Sequence, residues 1–156
     1  MKKFIAALIL FALLASCTGD LVYNDAVIFD HLFWERRHYI EFEVPVNARE
    51  TGYDFAIQFV HNGSYAFDHI HMNITFYMPG GAMRSRDYEF RLQDENGQWL
   101  GKQQGAFVET ELGITSGLRF VEDGLCLVRV ENKMTRFPVS GQNIKEVGLL
   151  VRKSKK

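Results

Sequence analysis

Hydrophobic and polar residues alternate along most of the chain. In HYIEFEVPV, Ile40, Phe42 and Val44 share one face while Tyr39, Glu41 and Glu43 share the other, the period of two that marks a half-buried strand. Pro45 suits a strand end or an edge. YDFAIQFV sets Phe55, Ile57 and Phe59 against Asp54, Ala56 and Gln58, and IHMNITFYM sets Ile70, Met72, Ile74 and Phe76 against His71, Asn73, Thr75 and Tyr77. RDYEFRLQ places Tyr88, Phe90 and Leu92 on one side, and GAFVETELGI, LRFVEDG, LCLVRVEN and IKEVGLLVRK complete eight runs. MPGGA and the Asn96-Gly97 pair of DENGQW are turn signals. Only Phe29 to Arg37 suggests a short helical turn. The pattern predicts an all-β, single-domain antiparallel β-sandwich, jelly-roll-like, of about eight strands over residues 22–156. Its core would hold Phe42, Phe55, Ile57, Phe59, Ile74 and Phe90.

The first residues break this pattern. Lys2 and Lys3 precede an apolar run of 11 residues, Phe4 to Leu14, and Leu14-Ala15-Ser16-Cys17 then follows. A positive start, a short apolar run and small residues make a secretory signal, and the run is shorter than the ~20 residues a permanent span needs. An aliphatic residue, two small ones and a cysteine form a lipobox. Residues 1–16 are therefore read as a lipoprotein signal peptide, Cys17 as the lipidation site whose thiol and freed amine carry acyl chains such as palmitate, and residues 17–21 as the tether. More than one chain gives stable anchoring. An ordinary secretory signal and an uncleaved anchor are the alternatives. Thr18 follows the cysteine, where an aspartate would favour the inner membrane, and Asp20 is the one nearby acid. The expected location is the outer membrane, periplasmic leaflet.

The chain has 18 basic and 19 acidic residues. Loss of Lys2 and Lys3 leaves 16 against 19, a net of −3, which is no footprint for nucleic acid. The basic RKSKK stretch reads as a frayed, solvated segment. With Cys17 committed to lipid, Cys126 has no disulfide partner, and its place in LCLVRV beside Val128 and Val130 suits a buried thiol. No GxSxG, HExxH, P-loop or CxxC motif occurs, so no enzyme activity and no cofactor are expected. His69 and His71 lie two apart on one strand face, with His61 near in sequence, a spacing that could ligate zinc or copper; a solvated polar face is the plainer reading. Trp34 and Trp99 are either core residues or a stacking platform for sugar.

The second half carries a resemblance. Leu92, Asp94, Gly97, Trp99, Leu100 and Gly101 fill a Leu-x-Asp-x-x-Gly-x-Trp-Leu-Gly stretch. Phe120 and Gly124 fill a Phe-x-x-x-Gly, Met134 and Arg136 a Met-x-Arg exit, and Val147, Gly148 and Leu149 a closing Val-Gly-Leu. With the lipobox, and with Trp34 upstream of the first alternating strand, these resemble the gliding motility lipoprotein GldH family of the Bacteroidota. The chain departs at Lys102-Gln103-Gln104 and at FPVSGQN. The resemblance implies a lipid-anchored, non-enzymatic envelope component of the gliding machinery, linked with type IX secretion and acting through contacts with envelope proteins. A lipid-anchored glycan-binding module is the second class. The candidate partner surface is the hairpin end Asp94, Asn96, Gly97, Trp99, Leu100 and Gly101. There Trp99 is either folded back as a plug or exposed as a binding anchor.

Overall fold

The computed structural model describes residues 20–136 and 142–155. The signal segment, Cys17 and most of FPVSGQN lie outside them. Nine strands follow in order: β1 (Leu21–Ile28), β2 (Tyr39–Val46), β3 (Tyr53–Asn62), β4 (His69–Tyr77), β5 (Met83–Arg91), β6 (Lys102–Gln104), β7 (Phe107–Leu118), β8 (Gly124–Asn132) and β9 (Ile144–Lys153). They form two sheets, ordered β1-β9-β3-β7-β6 and β2-β8-β4-β5, and every pairing is antiparallel. The chain crosses between the sheets after most strands, so β1, β9, β3 and β7 face β2, β8, β4 and β5 in the jelly-roll order, with β6 added at one edge.

The alternation translates directly into burial. Ile40, Phe42, Val44 and Val46 of β2, Ile70, Met72, Ile74 and Phe76 of β4, and Cys126, Val128 and Val130 of β8 line the inside of one sheet. Phe55, Ile57 and Phe59 of β3 meet them from the other, with Val147, Leu149 and Val151 of β9. Phe55 stands edge-on to Phe76 with ring centroids 5.1 Å apart, a favoured aromatic geometry. Pro45 sits in β2, an outer strand of its sheet, where a missing N–H costs no ladder bond. Burial pushes the Cys126 thiol up to about 11, so it stays protonated and inert.

Several expectations need correction. LVYNDAVI forms β1, so Leu21, read as the last tether residue, already belongs to the sheet. LRFVEDG is no strand: Leu118 ends β7 and Phe120 turns into the core against Tyr53 at 5.6 Å. Lys102-Gln103-Gln104 is the edge strand β6. Helix between Phe29 and Arg37 shrinks to one 3-10 turn, Asp30–Leu32, broken by His31 at φ 56°. Phe90 is only half-buried, because β5 is an edge strand; it packs at the margin of the core, stacked on Tyr88 at 5.3 Å. The RKSKK stretch is not frayed at its start. Arg152 and Lys153 lie in β9, Arg152 grips Glu111 through two bonds of 2.6 and 2.9 Å, and the Ser154 hydroxyl donates to Asp54 at 2.5 Å.

The strand directions define two poles. The start of β1, the end of β9 and the β2–β3, β4–β5 and β7–β8 connections gather at one, here the proximal pole. The end of β1, the β3–β4 and β8–β9 connections and the whole segment from Leu92 to Gly101 gather at the other, the distal pole.

Candidate functional site at the distal pole

The distal hairpin is built around Asp94. Its carbonyl accepts the Gly97 N–H at 3.1 Å, while its N–H donates to the Gln98 carbonyl at 2.8 Å. Its Oδ1 accepts the N–H groups of Asn96 and Gln98 at 2.8 and 2.9 Å, a side-chain device that stabilises turns. Gly97 alone takes positive φ, at 74°. The loop is therefore a three-residue turn, Glu95-Asn96-Gly97, with glycine in the left-handed position. The two-residue turn expected from Asn-Gly would have put Asn96 at positive φ as well.

Behind the turn the chain is pinned inward. The buried Leu92 donates its N–H to Asp68 at 2.7 Å, and Leu100 donates to the Leu92 carbonyl at 2.9 Å. Trp99 pairs with Gln93 and folds over the sandwich end, its ring 4.4 Å from His61 and 6.5 Å from Tyr65. Of its two candidate roles, the plug is the one it occupies. Gly101 has no room for a side chain: a Cβ there would collide with the Glu109 carbonyl and the Thr110 hydroxyl. Leu100, by contrast, is 55% exposed, and Glu95, Asn96, Gly97 and Gln98 are open to solvent. The hairpin is thus a fixed frame with one apolar side chain projecting beside polar turn residues.

His61, on the inner end of β3, is fully buried beneath Trp99 and Tyr65. Its Nδ1 donates to the Asn62 carbonyl at 2.8 Å, and Nε2 has no partner among the described residues. Burial pulls its pKa below the ordinary value, so the ring is neutral and serves as packing. His69 and His71 sit on the outer part of β4, 4.8 Å apart. Each is taken by its own carboxylate, His69 by Asp68 at 2.6 Å and His71 by Glu89 at 3.2 Å. Among the described residues no three His, Cys, Asp or Glu side chains converge on a possible metal position.

A second feature of this pole was not foreseen. Trp34 is wholly buried and stacks on Phe29 at 5.4 Å. Its backbone N–H donates to Gln142 Oε1 at 2.8 Å, and its backbone carbonyl accepts from Asn132 Nδ2 at 2.9 Å. Asn132 Oδ1 also accepts the Met134 N–H at 3.0 Å. One amide thus ties the β1–β2 connection to the end of β8. The nearest sequence signal was the Met-x-Arg exit: Met134 is buried beside Asn132, and its sulfur takes the His71 N–H at 3.3 Å. Trp34 is enclosed, whereas Trp99 is half-buried and packs against His61 and Tyr65.

The fold and the pinned hairpin define a jelly-roll β-sandwich whose distal end is closed by a Trp-Leu-Gly segment and a buried Trp-Asn-Gln knot. The family model for the GldH lipoprotein matches residues 21–151. A relative described as a gliding motility lipoprotein GldH homolog, from Christiangramia forsetii, is 26% identical, with the match covering 97% of this chain and 93% of that protein. No solved structure matches. The chain belongs to the GldH lipoprotein family. Of the residues carrying the earlier resemblance, the Leu92–Gly101 stretch, Trp34, Met134 and Arg136 collect at the distal pole, Val147-Gly148-Leu149 lies within β9, and Phe120 and Gly124 lie at the proximal pole.

Proposed function

We propose that this protein is a lipid-anchored, non-enzymatic component of the gliding motility machinery that works by holding envelope proteins at its distal hairpin. Cys17 carries the acyl chains, and the protein resides in the outer membrane on the periplasmic leaflet. The observation that carries the reading is the hairpin frame: Asp94 locks the turn, Trp99 and Gly101 fix its base, and Leu100 projects from it. A rigid frame with one exposed apolar residue loses little conformational freedom when a protein partner closes over it.

The variant Leu100→Asp tests the surface, because the side chain is largely outside the core. Its melting temperature should match wild type, while native partners recovered from membranes should be lost. Recovery of the same proteins in the same amounts overturns the surface assignment. For the anchor, Cys17→Ser should abolish incorporation of labelled fatty acid and leave an unprocessed precursor. Continued incorporation overturns it.

A further inference from the structure

The proximal pole carries a surface that the distal function does not use. Chain length fixes where it must lie. Four residue steps separate Cys17 from Leu21, the first residue of β1, and fully extended chain spans at most about 14 Å over that distance. An acylated Cys17 therefore holds the start of β1, and the pole it belongs to, next to the bilayer, with Leu21 at most about 14 Å from the lipidated residue.

The surface there is unusually apolar for a solvated loop end. Val121, at the tip of the β7–β8 connection, is 89% exposed. Met83, Leu125 and Leu21 are 61%, 55% and 51% exposed. The strand register makes part of this a continuous patch. Met83, Tyr77 and Leu127 stand opposite one another on β5, β4 and β8, and the Pro45–Leu125 pair lies one row nearer the pole. Beside it, the β4–β5 turn and the β7–β8 connection enclose a cleft of about 250 Å³ with Pro79 and Phe120 in its wall and Arg84 and Arg119 at its rim.

Charge at this pole is unevenly committed. Asp123 accepts the Ala48 N–H at 2.8 Å, Glu50 pairs with Lys153 at 2.7 Å, and Asp54 accepts from Ser116, Gly117 and Ser154. Glu122 at the cleft, Asp20, and Glu43, which stands opposite Leu127 on β2, are the remaining acids. Among the described residues Arg49, Arg84, Arg119 and Lys155 have no carboxylate partner. Exposed apolar side chains next to unpaired cations fit a phospholipid surface, which offers an acyl boundary and a layer of phosphates. The distal pole also exposes Ile28, Phe33, Tyr39 and Leu100, but no anchor holds it at a membrane.

We propose that the proximal pole is a membrane-docking face: Val121, Leu125 and Met83 enter the headgroup region while Arg49, Arg84 and Arg119 engage lipid phosphates, so that the sandwich stands upright with its distal hairpin turned away from the bilayer. This rests on the reading of Cys17 as the anchor. The test uses full-length lipidated protein reconstituted into vesicles of phosphatidylethanolamine and phosphatidylglycerol. An environment-sensitive fluorophore is attached through Val121→Cys or, as the distal control, Glu95→Cys; the buried Cys126 will not compete for label. Quenching by aqueous iodide should be several-fold weaker at position 121 than at 95, and lipid-borne quenchers should act at 121 alone. The double variant Arg84→Glu, Arg119→Glu should restore iodide access at 121, and unchanged protection would remove the arginines from the docking face. Flotation of the vesicles separates the two readings. Protein that carries no acyl chain and stays behind overturns the anchor, and docking with it. Protein that floats yet leaves Val121 as open to iodide as Glu95 overturns the docking face alone.

Discussion

The distal pole contains a buried polar knot around Trp34, whereas the polar contacts of the proximal pole lie at or near the surface. The Trp34–Gln142, Asn132–Trp34 and Met134–Asn132 bonds all lie out of solvent, whereas the bonds of Asp123 to Ala48, Arg119 to Thr51 and Asp54 to Ser116 lie at the surface. A buried donor or acceptor that loses its partner costs roughly 1–3 kcal/mol, while an exposed one finds water. The Trp34 knot therefore tolerates fewer rearrangements than the wet contacts of the proximal end. That difference matches what each would meet. A protein partner has a fixed shape and rewards a fixed frame; a lipid surface has none and asks only for apolar reach and charge.

The largest effect should come from cutting the distal closure. Trp34→Ala removes a fully buried indole and its stack on Phe29, so urea unfolding should show a loss of about 3–5 kcal/mol. The matching proximal change, Val121→Ala, removes an exposed side chain and should stay within about 0.5 kcal/mol of wild type. Similar losses at both sites would erase the contrast between the poles.

Asn132→Leu should come next. It strands the Trp34 carbonyl and the Met134 N–H inside the protein, and two such groups predict a loss of about 2–6 kcal/mol. A loss below 1 kcal/mol would mean that water reaches the knot, and the distal end would then resemble the proximal one. Gly97→Ala is smaller. The left-handed φ of 74° costs a side-chain-bearing residue roughly 1–2 kcal/mol. Gly97→Asn should cost less, because asparagine tolerates that region; equal costs would point away from backbone strain.

Much of this architecture was legible because it rests on short-range pattern. Alternation located β2, β3, β4, β8 and β9, and Asn96-Gly97 located the turn. What escaped depends on distant partners. LVYNDAVI has Asn24 and Asp25 in its middle and no clean period; it is a strand because β9 offers it a ladder. Lys102-Gln103-Gln104 has no apolar residue to announce β6, and Phe120 looked like strand because a core residue in a loop has the same composition. At the site, Trp99 could not be assigned until His61 was seen beneath it. Asn132 and Gln142 bond to Trp34 across 98 and 108 residues, a relation no local window contains. Tertiary pairing overrides local preference in each case.

The finest contrast is in acid response. Below Trp99, burial depresses the pKa of His61, so the folded state holds the ring neutral while the unfolded chain titrates near the ordinary value of about 6.5. Unfolding then takes up a proton at mildly acidic pH, and stability falls as pH drops from about 6.5 toward the lowered folded value. At the proximal pole Asp54 is also depressed: burial opposes ionisation, but hydrogen bonds from Ser154, Ser116 and the Gly117 N–H outweigh it. Its contribution is complete above the ordinary carboxyl value of about 3.9 and is lost only as pH falls through the lower folded value. The two poles should therefore weaken in separate windows, the distal one first. Urea unfolding from pH 8 down to pH 3 would resolve them by difference. His61→Phe should flatten the slope below about pH 6.5 and leave the acid limb unchanged, whereas Asp54→Asn should flatten only the acid limb. If His61→Phe leaves the mildly acidic slope intact, the imidazole is hydrated in the folded protein, and the distal pole is not the dry closure that sets it apart from the proximal end.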